Sequence, residues 1–180
     1  VDANVNLVWE WNSCKEIHPL EGYVYYGYAP AKFDYAHGNA IEEDTDGNYL
    51  LSFRHLNSIV KVERSSGAIL WRLGGKNSDF TFVNDNGFSG QHDIRRLANG
   101  NISLFDNGNM ASVQESRGVE YALDLVNWTA TKVLELRTDS ASFSSGMGSF
   151  RQDSILKVIG HGLSFSPTPT FTVWDQAENL

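Results

Sequence analysis

Groups of four short strands recur along this chain, and that recurrence limits its fold more than any other feature. Runs of alternating apolar and polar residues, rich in Val, Ile, Phe, Trp and Tyr, are separated by clusters of Gly, Asn, Asp and Ser. A period of two puts one strand face in a core and the other in solvent; the three-and-four spacing of an amphipathic helix is nearly absent. The first group spans residues 39–43, 49–54, 58–63 and 68–73. Its turns are Asp44-Thr45-Asp46-Gly47 and Arg64-Ser65-Ser66-Gly67, with glycine supplying the positive φ. The second spans 93–97, 102–105, 119–125 and 131–136, with Ala98-Asn99-Gly100 as its first turn. A third begins near Gly148 and continues through 154–159 and 170–174. Trp9-Glu10-Trp11 has the look of Leu70-Trp71-Arg72-Leu73 and Leu134-Glu135-Leu136, and reads as the last strand of an earlier unit.

Four-strand units of about 45–55 residues are the mark of a β-propeller. The expected fold class is therefore all-β, a propeller of four-stranded antiparallel blades of which this chain is a part. A β-sandwich is the alternative, but it requires no self-similar groups. The expected organisation is the end of a preceding blade (1–13), a linker (14–36), a blade (37–75), a loop (76–90), a second blade (91–137) and an incomplete blade (146–180). Both long connections are aromatic. Residues 19–32 hold Tyr23, Tyr25, Tyr26 and Tyr28, and residues 76–90 hold Phe80, Phe82 and Phe88. Packing over a blade end explains such loops, and a wall for a ring-shaped ligand is the alternative for the tyrosines.

Charge narrows the partners. Among 180 residues, 14 Lys and Arg stand against 22 Asp and Glu, a formal charge of −8. That field argues against non-specific nucleic-acid binding, and an anionic substrate would need a local cationic pocket. No apolar stretch approaches the roughly 20 residues that span a bilayer. Cys14 is the single cysteine, which leaves no disulfide framework and no thiolate cluster. Sequons at Asn101-Ile102-Ser103 and Asn127-Trp128-Thr129, with the rarer Asn12-Ser13-Cys14 form, tilt the compartment toward secretion and make Asn101 and Asn127 candidate glycosylation sites.

Polar clusters fall at comparable places in the repeats. Asp34-Tyr35-Ala36-His37-Gly38-Asn39 and Gln91-His92-Asp93 each precede or open a first strand, and Phe53-Arg54-His55-Leu56-Asn57 ends a second strand. First strands line a propeller channel, so His37 and His92 are expected on its axis with Arg54 at the same rim. Two imidazoles, an amide and a guanidinium suit an oxyanion such as sulfate or phosphate, or position an imidazole as covalent nucleophile. Arg54 can instead pair with Asp34 or Asp93. A metal held by His37, His55 and His92 is a further alternative, without supporting His-x-His or His-Glu-x-x-His spacing. His18 and His161 read as structural. Asp44-Thr45-Asp46-Gly47 starts like a calcium loop but lacks the acidic residue downstream, so it reads as a turn.

At these residues the chain resembles the arylsulfotransferase (arylsulfate sulfotransferase) family. The matching stretches are residues 33–41, 46–55 and 69–75, then Ser78-Asp79-Phe80, Gln91-His92-Asp93, Phe105-Asp106-Asn107-Gly108 and Ser116-Arg117-Gly118. The resemblance implies a six-bladed propeller, of which this chain is about half, with the chemistry in the central funnel. It implies transfer of a sulfuryl group from a phenolic sulfate ester to a phenol, with no nucleotide donor and no cofactor. His92 matches the histidine that becomes sulfated, His37 and Asn39 match the supporting pair, Arg54 matches the arginine, and His55 is a candidate substrate-binding residue. A further histidine that the family draws from an earlier blade has no match here. The expected partners are an aryl sulfate and a phenol, together with the remaining blades or a second copy. The competing expectation is a non-catalytic propeller that binds glycans or sulfated ligands.

Overall fold

The groups fold as three separate sheets. A computed structural model of the protein describes residues 4–23, 34–138, 142–164, 169–175 and 177. Its strands are β1 (Gly38–Glu43), β2 (Tyr49–Phe53), β3 (Ser58–Val62), β4 (Ile69–Gly74), β5 (Thr81–Val83), β6 (His92–Arg96), β7 (Ile102–Asp106), β8 (Arg117–Asp124), β9 (Thr129–Leu136), β10 (Ser149–Gln152), β11 (Lys157–Gly160) and β12 (Phe171–Trp174). The first sheet is the antiparallel meander β1-β2-β3-β4, the second has the order β5-β9-β8-β7-β6, and the third is β10-β11-β12. The fold is all-β, and among the described residues every strand pairing is antiparallel except that of β5 with β9.

Alternation along the strands explains how the sheets stack. Leu50, Ile59 and Leu73 face the second sheet, where they share a core with Ile94, Ile102, Leu104, Val119 and Tyr121. Their neighbours Leu51, Val60 and Val62 face the other way and pack with Ile17 and Ala36. Phe105 and Leu136 leave the second sheet on its far side and meet Phe150, Ile159 and Trp174 of the third. A sheet covered on both faces loses the polar face that alternation would otherwise require. All five residues of β3 and of β7 are accordingly buried, Lys61 and Ser103 included.

Three expectations change in the structure. The 76–90 segment is more than a loop, because Thr81–Val83 pairs in parallel with Thr129–Thr131. Phe80 and Phe88 enter the core between the first two sheets, and Phe82 stacks edge-on against Phe88 and Tyr121. Trp9-Glu10-Trp11 is not a strand. Its tryptophans face the first sheet instead: Trp9 lies 4.3 Å from the Tyr49 ring, and the Trp11 indole donates to the Gly67 carbonyl at 2.8 Å. The alternation there serves side-chain packing, without a backbone ladder. Finally, the second strand of the third group covers 157–160, because Ile155 and Leu156 donate their N–H groups to the Asp153 carboxylate in a turn. Tyr25, Tyr26 and Tyr28 lie outside the described residues.

The first strands of the three sheets are neighbours, β1 beside β6 and β6 beside β10. An ion-pair chain crosses all three: Glu42 to Arg95 at 2.6 Å, Arg95 to Asp93 at 2.9 Å, and Asp93 to Arg151 at 2.8 Å. The turn after β1 is tied down as well, since Asp44 holds Arg96 of the second sheet at 2.7 Å and Lys61 at 2.8 Å. These carboxylates are engaged with cations of the protein, which agrees with a plain turn. Among the described residues, no helix is long and apolar enough to cross a membrane.

Candidate functional site

His92 opens β6 opposite Phe105, and Gly38 opens β1 opposite Phe53. Both first strands carry a one-residue irregularity just beyond that pair, which re-aims the side chains at the strand start. His37, Asp93 and Met147 all have positive φ (52°, 52° and 59°), a conformation that costs side-chain-bearing residues energy and concentrates at sites of function.

His92 is held at both ring nitrogens. Nδ1 lies 2.8 Å from Oδ1 of Asn107, and Nε2 accepts the Met147 backbone N–H at 3.2 Å. Burial is the largest influence on the ring and pushes its pKa below the ordinary histidine value; the positive charges of Arg54 and His37 push the same way, and the bond to Asn107 opposes them. His92 is therefore a neutral imidazole near pH 7, with the Arg54 guanidinium bearing on it.

His37 and His55 lie against each other, with ring centroids 4.4 Å apart. Asp34 grips His37 twice, accepting its backbone N–H at 3.0 Å and meeting Nδ1 at 2.5 Å. Burial would raise the Asp34 pKa, but the bonds from His37 and the charges of both histidines hold it below the usual aspartate value. His55 directs Nδ1 at the Asp34 carbonyl at 2.5 Å. Its pKa is lowered, chiefly by burial. Asp34, His37 and His55 thus form a compact trio, the group whose atoms come nearest to a metal cage. Two ligands of one tetrahedral zinc would sit roughly 3.3 Å apart, so the 2.5 Å contact makes Asp34 and His37 a hydrogen-bonded pair. Among the described residues His92 is not part of that trio, so His37, His55 and His92 do not gather as one ligand set.

Arg54 leaves the end of β2, and its Nη2 donates to the Ser145 carbonyl at 2.7 Å. Asn39 donates through Nδ2 to the Gln91 carbonyl at 2.7 Å, one residue before His92, while its buried Oδ1 has no partner. Gln91 itself is fully buried and places Nε2 within 3.1–3.2 Å of Ser52 Oγ, Phe53 O and Ser58 O. That side chain pins the start of β6 to the β2–β3 connection and so fixes His92 relative to Arg54. A cavity of about 330 Å³ lies beside His92, between Asn39, Ile41, Arg95, Met147 and Ser149. A larger one, about 520 Å³, lies among Asn86, Met110, Val113 and Arg137 and touches none of His37, Arg54 or His92.

Of the five sequence candidates, His37 and His55 are in ring contact, Asn39 and His92 line the 330 Å³ cavity, and Arg54 and His37 are near enough to influence His92, although neither lines that cavity. Sequence reasoning missed Asp34 as the partner of His37, Asn107 as the partner of His92, and the backbone of 144–147. His18 caps a short helical turn, accepting Leu20 N–H at Nδ1, and His161 faces Ser144 and the Phe105 ring. Both sequon amides donate to a carboxylate, Asn127 to Asp124 at 2.7 Å and Asn101 to Glu120 at 2.6 Å, but Asn127 is exposed on a turn whereas Asn101 is half-buried.

The sequence profile described as arylsulfotransferase (ASST) matches residues 20–152, which includes every residue of this site. The chain belongs to the arylsulfotransferase family. Sulfuryl transfer is thereby given at the level of the family. No curated protein matches the chain. Among solved structures, the PQQ-bound form of an aldose sugar dehydrogenase from Streptomyces coelicolor is similar at 16% identity and a TM-score of 0.45, covering 73% of this chain. The chain spans 39% of the length of that dehydrogenase.

Proposed function

We propose that this site moves a sulfuryl group from a phenolic sulfate ester to a phenol through a covalent intermediate on His92, in a propeller whose channel is lined by β1, β6 and β10. The observation that carries the reading is a neutral, half-buried imidazole held at both nitrogens, with the Arg54 guanidinium close enough for its charge to act on it. Sulfuryl transfer depends more on in-line positioning and charge stabilisation than on strong covalent chemistry. Arg54 and the Met147 N–H are the donors for the sulfuryl oxygens. His37, backed by Asp34, protonates the departing phenolate and later takes the proton of the acceptor phenol. Asn39 acts on the backbone at Gln91, setting the approach of β6. The 330 Å³ cavity beside His92 is within the range that holds small aromatic ligands.

Because the donor ester brings the sulfuryl group, the two half-reactions balance without a co-reactant. Varying 4-nitrophenyl sulfate and a phenol together should give the parallel double-reciprocal lines of a ping-pong mechanism, with phenol release abolished by His92→Ala. Phenol release that persists in His92→Ala contradicts the reading. Binding of glycans or sulfated ligands unchanged by His92→Ala, with no turnover, would favour a non-catalytic propeller. An extracytoplasmic location fits the exposed sequon, and a glycosylating host should modify Asn127 in preference to Asn101.

A further inference from the structure

We propose that Asn107 is a positioning residue that holds His92 as its Nδ1–H tautomer, assigns Nε2 as the nitrogen that takes the sulfuryl group, and keeps the sulfated ring cationic. This rests on the reading of His92 as covalent nucleophile.

The amide of Asn107 has no freedom to turn over. It is fully buried at the end of β7, and Nδ2 donates to two carbonyls, Ser144 O at 2.7 Å and Met147 O at 2.9 Å. Both amide hydrogens are spent there, so Oδ1 is the acceptor that faces His92. The nitrogen 2.8 Å from it must then carry the proton, and that nitrogen is Nδ1. Nε2 keeps its lone pair, and the Met147 N–H donating into it from 3.2 Å fits an unprotonated nitrogen. The same amide that fixes the tautomer also anchors residues 144 and 147, so tautomer and oxygen-binding N–H are set by one side chain.

Charge in the intermediate follows from Asn107 being an amide and not a carboxylate. In the first half-reaction the Met147 N–H moves from Nε2 to a sulfuryl oxygen, and the freed Nε2 lone pair forms the N–S bond while the S–O bond to the donor phenol breaks. The phenolate leaves with that electron pair and takes a proton from His37. An amide oxygen is far too weak a base to remove the Nδ1 proton, so the adduct is an imidazolium bearing an SO₃⁻ group. In the second half-reaction the acceptor phenol gives its proton to His37, its oxygen bonds to sulfur, and the N–S electron pair returns to Nε2. The leaving group is then a neutral imidazole, a good one. A carboxylate at position 107 would take the Nδ1 proton and leave an uncharged ring bearing SO₃⁻, from which the N–S electron pair could depart only as imidazolate, a poor leaving group.

The test uses two readouts on the full chain. In protein labelled with ¹⁵N-histidine, with His92 assigned by comparison with His92→Gln, two-bond ¹H–¹⁵N spectra at pH 8 should show a protonated Nδ1 and a bare Nε2; a protonated Nε2 overturns the proposal. This readout needs no substrate and no variant of Asn107. With 4-nitrophenyl sulfate and no acceptor, followed by a phenol chase, the adduct of Asn107→Asp should decay more slowly than wild type by roughly 10–100-fold, the size of effect that hydrogen-bond partners of metal-bound histidines have. Decay at the wild-type rate in a folded Asn107→Asp overturns it. If Asn107→Asp does not fold, the wild-type tautomer decides. Absence of any adduct in wild type would defeat the sulfuryl-transfer reading itself, while the spectra still judge the tautomer.

Discussion

Met147 and His92 stand 55 residues apart in the chain, yet the backbone N–H of one donates to Nε2 of the other at 3.2 Å. The contact shows that the site is a product of three sheets. The first sheet supplies Arg54 and His55, and the segment ahead of it supplies Asp34 and His37. The second supplies His92 and Asn107. The approach to the third, residues 144–147, roofs them, with Ser145 O receiving both Arg54 at 2.7 Å and Asn109 at 3.0 Å. No single four-strand unit could hold this arrangement, because Arg54 and His92 are each bonded to the backbone of residues 145–147, which lead into another unit.

Arg54→Ala should lower kcat/KM for an aryl sulfate by roughly 10²–10³-fold, the loss expected for one preorganised donor to a developing charge. Arg54→Lys should recover only part of it, since an ammonium keeps the charge but not the planar fork. Steady-state kinetics on the three proteins check this, and an Arg54→Ala enzyme within threefold of wild type would remove Arg54 from the chemistry.

Asp34→Ala should reveal itself through the leaving group. His37 as general acid matters most when the departing phenol is a poor leaving group, where such catalysis contributes about 10²–10⁴-fold. Activity on an unactivated phenyl sulfate should therefore fall by at least about 10²-fold, while 4-nitrophenyl sulfate suffers far less. Equal losses on both donors would assign Asp34 to folding alone.

Acidification should destabilise the protein in two stages. The folded pKa values of His92, His55 and His161 are lowered, in each case chiefly by burial. The unfolded chain then binds these protons first, so stability falls as pH drops below about 6.5, the free histidine value. Asp34, Asp44 and Asp85 are shifted down despite burial by His37, by Arg96 with Lys61, and by Arg117 with Tyr121. Their stabilisation is present above about pH 4 and is lost as pH falls further. Melting temperature followed from pH 8 to 3 should show both declines, and a rise between pH 7 and 5 would contradict the first.

Arg117→Met tests the frame behind the site. Arg117 is buried at the start of β8 and binds Asp106 and Asp85 at 2.9 Å and Glu135 at 2.7 Å, tying the 76–90 segment to the second sheet. Removing it strands buried carboxylates, a loss of roughly 3–5 kcal/mol. Urea unfolding should register that size of change, and a loss under 1 kcal/mol would mean the charges are far better solvated than their burial indicates.

Much of the fold was legible because its turns are local. Gly47, Gly67 and Gly100 have positive φ where the sequence placed turns, and the hairpins follow from them. β5 was not legible, since a three-residue strand paired in parallel with β9 owes its existence to the core that Phe80 and Phe82 enter. Trp9 and Trp11 misled for the opposite reason, carrying strand-like alternation into a segment that only lies against a sheet. Within the site, His37, Arg54 and His92 stood out as charged or titratable residues at matching places in the repeats. Asn107 did not, although the same logic reaches it: Phe105 pairs with His92 as Phe53 pairs with Gly38, so the residues after each phenylalanine share a rim. The Ser145 carbonyl and Met147 N–H had no side-chain signal to read.

The central claim is a covalent sulfuryl group on His92. The direct measurement is rapid quenching of the protein with 4-nitrophenyl sulfate and no acceptor, under alkaline conditions that preserve phosphoramidate-like bonds, followed by intact-mass analysis and peptide mapping. One SO₃ adduct per chain is expected, formed with the release of nitrophenol, mapped to the peptide containing His92 and discharged by added phenol. Nitrophenol release with no adduct, or an adduct retained in His92→Ala, would contradict it.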